Sequence, residues 1–248
     1  MKRKLVATIA CRNFGQRLFA KPLQNLDLKK NINVLNLLIK NIRKQKSISQ
    51  IVLGIAKEKG SEIYKEFAKK NHLEFIVGDE KDVLSRLIKC AELVKATDVF
   101  RVTSESPFPY LNNLKKSWHI HKKENLDAIF LDDVIDGCGY EIIKLSALRH
   151  SHKFGKKRHR SELCTLYIRD NIINFKVKKI KPPKFLLRKD LRLTVDYPED
   201  LILCREIYKE FLNKKINHKK IVEFLDKNKY LKNLVKKYTV DGYKLMYK

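Results

Sequence analysis

The chain has 248 residues, 44% of them hydrophobic, enough for one large α/β domain or two small ones with a sizeable core. No run of about 18 uncharged apolar residues is present, so no membrane-spanning helix is expected. The basic start, Met1-Lys2-Arg3-Lys4-Leu5, leads into an apolar stretch that stops at Arg12, too short for a secretory signal, and a cytoplasmic protein is expected. The net charge of +27 attracts polyanions, but lysine is spread through nearly every segment and aromatic residues are not interleaved with it. A lysine-rich bias, an acidic membrane surface or acidic small substrates account for the charge equally well, and no specific nucleic acid is expected. The five cysteines (Cys11, Cys90, Cys138, Cys164, Cys204) are scattered, without a Cys-x-x-Cys pair, and are expected to be reduced.

In chain order, strands are expected at Leu5–Ala10, Gln50–Ile55, Glu74–Val77, Asp98–Val102, Asp127–Leu131 and Leu191–Val195. Helices are expected at Val34–Lys46, Glu62–Asn71 and Asp82–Lys95. In the last of these, Val83, Leu84, Leu87, Ile88, Ala91 and Val94 form one apolar stripe. Strand and helix alternate, the pattern of βαβ units in a mainly parallel sheet. Residues 132–183 break the rhythm with Gly137, Gly139, a basic stretch from Lys153 to Arg160 and an alternating run near Ile172–Val177. A loop, a helix and a short antiparallel pair are expected there, as a lobe over the sheet edge. Helices at Pro198–Leu212 and His218–Tyr238 complete a single domain over 1–248; Pro198 followed by Glu199 and Asp200 is a favourable helix start.

Chemistry concentrates after three strands. The first strand runs through Ala10 into Arg12, Gly15, Arg17 and Lys21. Ligands of open α/β sheets bind at strand carboxyl ends, and three cations around a glycine suit a polyphosphate. Glu105 follows the fourth strand and Asp196 follows the last. If both strands neighbour the first, these carboxylates face the cationic loop as an Mg²⁺ site, since this ion takes one or two carboxylates plus substrate phosphates. The plainer reading is a solvated loop, with Glu105 capping a turn and Asp196 capping the helix behind it.

The motifs also resemble those of a known family, the SpsF-like branch of the cytidylyltransferases, related to the CMP-sialic acid and CMP-Kdo synthetases. Its opening A-R-x-G-S-x-R-L-P-G-K is matched by Arg12, Gly15, Arg17, Leu18 and Lys21, with Phe19 and Ala20 in place of Pro-Gly. Its G-x-x-x-D-V-L-x-R is matched by Gly78, Asp82, Val83, Leu84 and Arg86. Its R-[IV]-T-G-D-x-P appears as Arg101-Val102-Thr103-Ser104-Glu105-Ser106-Pro107, and L-R-L-T-V-D-x-x-E-D as Leu191–Asp196 with Glu199 and Asp200. Weaker echoes are Gly137 and Glu141, then Glu162, Thr165 and Tyr167, and a tail ending Asp241-Gly242-Tyr243. Glu105 stands where the family has Asp, Ser104 where it has Gly, and Gly139 and Leu163 where it often has Asp and His.

The resemblance implies a glycosyltransferase-A-like, Rossmann-like sandwich with a small lobe that in relatives helps form a dimer, so a homodimer is expected. It also implies transfer of CMP from CTP to an acidic sugar of sialic or Kdo type, with Mg²⁺ and release of pyrophosphate. Under it Arg12, Arg17 and Lys21 serve the triphosphate, while Ala10, Gly15, Arg86 and Arg101 lie near the nucleotide. Glu141 contacts the acceptor sugar, and Glu105 and Asp196 hold the metal. The alternatives are a catalytically lapsed nucleotide-binding relative, transfer to another acidic metabolite or sugar phosphate, and a charge-driven nucleic-acid binder. His119 and His121 are not expected to form a metal site, because positions i and i+2 on a helix do not share a face.

Overall fold

The apolar runs become strands buried on both faces, as a sheet covered by helices on either side requires. A computed structural model describes residues 3–13, 17–212, 214 and 216–245, with side chains as far as 239. The axis is β1 (Leu5–Cys11): Leu5, Ala7, Ile9 and Cys11 enter one hydrophobic cluster and Val6 the other, the period of two expected of a strand. A short ribbon, β2 (Asn25–Asp27) with β3 (Ile32–Asn33), precedes α1 (Val34–Arg43). The helix begins at Asn33 because Asn33 and Asn36 cap each other reciprocally. Next come β4 (Gln50–Ala56), α2 (Glu62–Lys70), β5 (Glu74–Gly78), α3 (Val83–Leu93), β6 (Asp98–Arg101) and α4 (Leu114–Lys123). The following elements are β7 (Ala128–Leu131), β8 (Tyr140–Lys144), α5 (Leu145–Phe154), α6 (Leu166–Asp170) and β9 (Val177–Lys179). The chain closes with α7 (Pro198–Glu210), α8 (His218–Lys227) and α9 (Lys229–Leu245).

Among the described residues seven strands form one sheet in the order β5-β4-β1-β6-β8-β7-β9. All run parallel except β8, which is antiparallel to both β6 and β7. The stripe of α3, with Leu145 and Leu148 of α5 and Ile168 of α6, covers one face. Residues of α1, α4, α7, α8 and α9 share the cluster on the other. The expected α/β class with a mainly parallel sheet is therefore observed, and the expected strands lie within one residue of the observed bounds except at two places.

Both exceptions have a physical reason. Residues 132–183 do not lie wholly outside the sheet: Tyr140–Ile143 is buried throughout, and it inserts as β8 between β6 and β7. The expected antiparallel pair near 172–177 is replaced by a single turn at Ile172–Asn174 and by β9, which joins β7 in parallel. Leu191–Val195 is not a sheet strand either, because β8 holds the position beside β6. That segment instead spans two loops, with Leu193 N donating to Asp136 O at 2.7 Å and Val195 N to Glu105 O at 2.9 Å. The expected helix His218–Tyr238 is two helices, since Asn228 (ψ 75°) leaves helical geometry between α8 and α9. No described helix is long and apolar enough to cross a membrane.

Candidate active site

The carboxyl ends of β1, β6 and β7 lie on one edge, and their loops meet the segments around 162–169 and 191–197 there. Together they line a cleft of about 1150 Å³. Ala10, Arg12, Arg17, Lys21, Arg86, Arg101, Glu105, Glu141 and Asp196 all line it. Gly15 lies outside the described residues, so its place is not described.

The loop after β1 is closed at its base by Ala20 N donating to Asn13 O at 2.8 Å. This closure delivers Lys21 to Asp196, with Nζ 2.5 Å from Oδ1. Arg17 approaches the other carboxylate oxygen at 3.8 Å, and Arg12 reaches across the cleft to Glu162 at 3.5 Å. Asp196 is further gripped by Arg192, Nη2 to Oδ2 at 2.5 Å. Burial alone would raise the Asp196 pKa, but Lys21, Arg192 and Arg17 hold it below the usual carboxylate range. Asp196 is also fixed by its backbone: its N–H and that of Tyr197 donate to Asp200 Oδ2, both at 2.9 Å, at the start of α7.

Glu105 faces Asp196 and, among the described residues, has no comparable cation. Ser104 Oγ donates to Glu105 Oε2 at 3.0 Å. Its pKa is raised, by burial first and by the charge of Asp196 second, with Lys21 opposing. A cation between the two carboxylates would relieve that repulsion. Among the described residues no group of three or more His, Cys, Asp or Glu forms a metal cage. Glu105 and Asp196 could thus hold an ion that completes its shell from phosphate oxygens and water, the habit of Mg²⁺.

Arg192 is the hub beneath these groups. Its side chain is 2% exposed and donates to Asp136, Asp196 and, at 2.9 Å, Asp200. Asp136 is pushed up to about 6, chiefly by burial; Arg192 opposes this, while Asp196, Asp200 and Glu105 add to it. Gly137 (φ 88°) lets the loop after β7 lie this close, because a Cβ there would sit 2.7 Å from the backbone of Leu193.

A second buried network walls the far side. Arg101 and Glu141 are directly opposed in the β6–β8 ladder, and Nη1 meets Oε2 at 2.7 Å. Glu141 also accepts from Thr165 Oγ1 at 2.6 Å and from Arg169 Nη2 at 2.9 Å, while Arg169 pairs with Asp132 at 2.7 Å. Burial would raise the Glu141 pKa, yet Arg101 and Arg169 together bring it down to about 2. Arg86 sits under the cleft floor, 1% exposed, where Nη1 donates to the carbonyls of Gly54 (2.8 Å) and Cys11 (3.1 Å). Gly78 makes room for it, since a Cβ there would be 2.9 Å from the Arg86 Cγ. Arg86 therefore braces the end of β1 from below.

No protein-family model matches the chain. It is 28% identical over 231 residues to the uncharacterized protein MJ1063 of Methanocaldococcus jannaschii, spanning 93% of this chain and 94% of that protein. It is 23% identical over 182 residues to the spore coat polysaccharide biosynthesis protein SpsF of Bacillus subtilis, 71% of this chain and 76% of SpsF. A cytidylyltransferase from Leptospira borgpetersenii superposes with a TM-score of 0.82 at 20% identity, covering 93% of this chain and 97% of that one. In sequence the chain is similar to SpsF. A CMP:2-keto-3-deoxy-manno-octonic acid synthetase complexed with CTP shares the fold at a TM-score of 0.61 and 12% identity, over 84% of this chain and 99% of that one. The resemblance suggested by the motifs thus recurs as overall sequence similarity to SpsF, and the fold is shared with these two solved structures.

Sequence reasoning gave no role to Arg192, Asp136, Arg169, Tyr197 or Tyr238. One signal was available for the first: Leu191, Leu193 and Val195 alternate with Arg192, Thr194 and Asp196, so a charged residue inside an apolar run needed a buried partner. Nothing in the sequence ties Asp136 to it across 56 residues.

Proposed function

We propose that this chain is a cytidylyltransferase that transfers CMP from CTP to an acidic sugar of sialic or Kdo type and releases pyrophosphate, in surface polysaccharide or glycan biosynthesis. The observation that carries the reading is that Lys21, Arg17 and Arg12 line one cleft with Glu105 and Asp196 at the sheet's carboxyl edge, Lys21 and Arg17 directed at Asp196. The SpsF relative and the cytidylyltransferase neighbours support the same choice.

In this reading the acceptor hydroxyl attacks the α-phosphorus of CTP and pyrophosphate leaves in line, a reaction that asks mainly for positioning and charge neutralisation. Lys21 and Arg17 bind the triphosphate and offset the charge that builds on it, with Arg12 at the cleft mouth. Ala10 and Arg86 shape the floor where backbone and nucleotide approach. Glu105 and Asp196 would hold Mg²⁺, which when bound supplies further neutralisation of phosphate charge. Arg101 and Arg169 fix Glu141 at the acceptor wall. Bringing two reactants together in this way is worth roughly 7–11 kcal/mol of barrier. A homodimer belongs to the same proposal.

The test is a pyrophosphate-release screen of the four ribonucleoside triphosphates against a panel of acidic sugars with Mg²⁺. Release that requires CTP and one class of acidic sugar is expected. CTP binding without turnover on any acceptor would instead point to a lapsed relative, and salt-steep RNA affinity without nucleotide preference to a nucleic-acid binder.

A further inference from the structure

The C-terminal helix reaches the cleft. Leu231 and Val235 of α9 are buried in the core, and the next turn brings Tyr238 to the cleft mouth. Its ring stacks on Tyr197 with centroids 3.7 Å apart and planes 12° from parallel. The Arg17 guanidinium lies 4.8 Å from the Tyr197 centroid. Because Tyr238 covers one face of Tyr197, Arg17 occupies the other. Lys237 lies 4.7 Å from the Tyr238 ring, so the order is Arg17, Tyr197, Tyr238, Lys237. Glu199 pins the outer pair, accepting from Tyr238 Oη at 2.8 Å and meeting Lys237 at 3.3 Å.

This stack matters because, among the described residues, little else holds Arg17. Its approach to Asp196, 3.8 Å, is too long for a hydrogen bond. An unrestrained arginine side chain gives up much rotamer freedom when it binds an anion, and a guanidinium already seated on an aromatic face gives up less. Tyr197 follows Asp196 directly and is set by the start of α7. Its free face is presented in one orientation only while Tyr238 backs it.

We propose that Tyr238 is a positioning residue: acting through Tyr197, it holds Arg17 over the cleft, ready for the phosphates of a nucleoside triphosphate. The inference rests on the triphosphate reading above and deepens it, by making α9 part of the phosphate-binding apparatus.

The test uses the full chain and inorganic triphosphate as probe, with affinity read by calorimetry. Tyr238→Leu is expected to weaken binding roughly 3- to 30-fold, the range of a cation–π contact. Tyr238→Phe keeps the ring and is expected to bind within about twofold of the unaltered protein. In an Arg17→Ala background, Tyr238→Leu should cause no further loss, a coupling that mere loosening of α9 would not produce. Triphosphate binding that ignores Tyr238→Leu, or losses that simply add in the double variant, would overturn this proposal alone. Failure of the unaltered protein to bind triphosphate would overturn it together with the function it rests on.

Discussion

Arg192→Met is the sharpest perturbation of the framework that carries the acidic side of the cleft. The methionine keeps most of the buried stem, so the change is chiefly loss of the guanidinium. Asp196 would retain Lys21 at 2.5 Å, whereas Asp136 and Asp200 would lose the cation that each contacts. Removing one partner of a buried ion pair costs about 3–5 kcal/mol. For a chain of this size that lowers the melting temperature on the order of 10 °C. The loss should depend on pH, with a sign fixed by Asp136. Its folded pKa, about 6 with Arg192 present, lies above its ordinary value of 3.8. Such a group contributes stability that is fully present below the unfolded value and is lost as pH rises through the folded one. Without Arg192 that upper limit moves higher still, so the deficit should be largest at pH 8 and shrink toward pH 5. Urea unfolding followed by circular dichroism at the two pH values measures both effects. A loss below about 1 kcal/mol, or one equal at pH 5 and pH 8, would refute the buried-hub reasoning.

Glu141 titrates in the opposite sense: with its pKa drawn down to about 2 from 4.5, it adds on the order of 3 kcal/mol above pH 4.5, lost as the pH falls toward 2. Glu141→Gln should therefore unfold earlier in urea at pH 7, with the gap narrowing between pH 5 and 3; a gap constant across that window would contradict it. Gly137→Ala meets both a positive φ and a backbone contact at 2.7 Å, and should cost about 2 kcal/mol or more in thermal unfolding. Lys21→Ala should lower pyrophosphate release about a hundredfold while far-ultraviolet circular dichroism stays unchanged; near-normal release would remove Lys21 from the chemistry.

What was legible in the sequence followed from local pattern. The strands β1, β4, β5, β6 and β7 are short apolar runs bounded by polar breaks, and the stripe of α3 fixed which face it would bury. β8 was missed because Gly137 and Gly139 suggested a loop, whereas a strand covered on both sides shows no alternation to read. Leu191–Val195 looked like a strand for the converse reason: it alternates and is buried, yet its partners are two loops rather than a strand ladder. Arg12, Arg17, Lys21 and Glu105 could be named from strand-end logic and from the family motifs, whereas Asp196 rests on the motif, because the strand expected before it is not one. The contacts that orient them could not, since Arg192 with Asp136 and Tyr197 with Tyr238 are joined by tertiary packing alone.

Calorimetric titration of CTP, with and without Mg²⁺, into the unaltered protein and into Asp196→Asn is the most direct measurement. A triphosphate held between Lys21 and a metal on Glu105 and Asp196 predicts binding that strengthens with Mg²⁺ and loses that gain in the variant. Equal affinity in chelator and in Mg²⁺, or an unchanged Mg²⁺ response in Asp196→Asn, would contradict it.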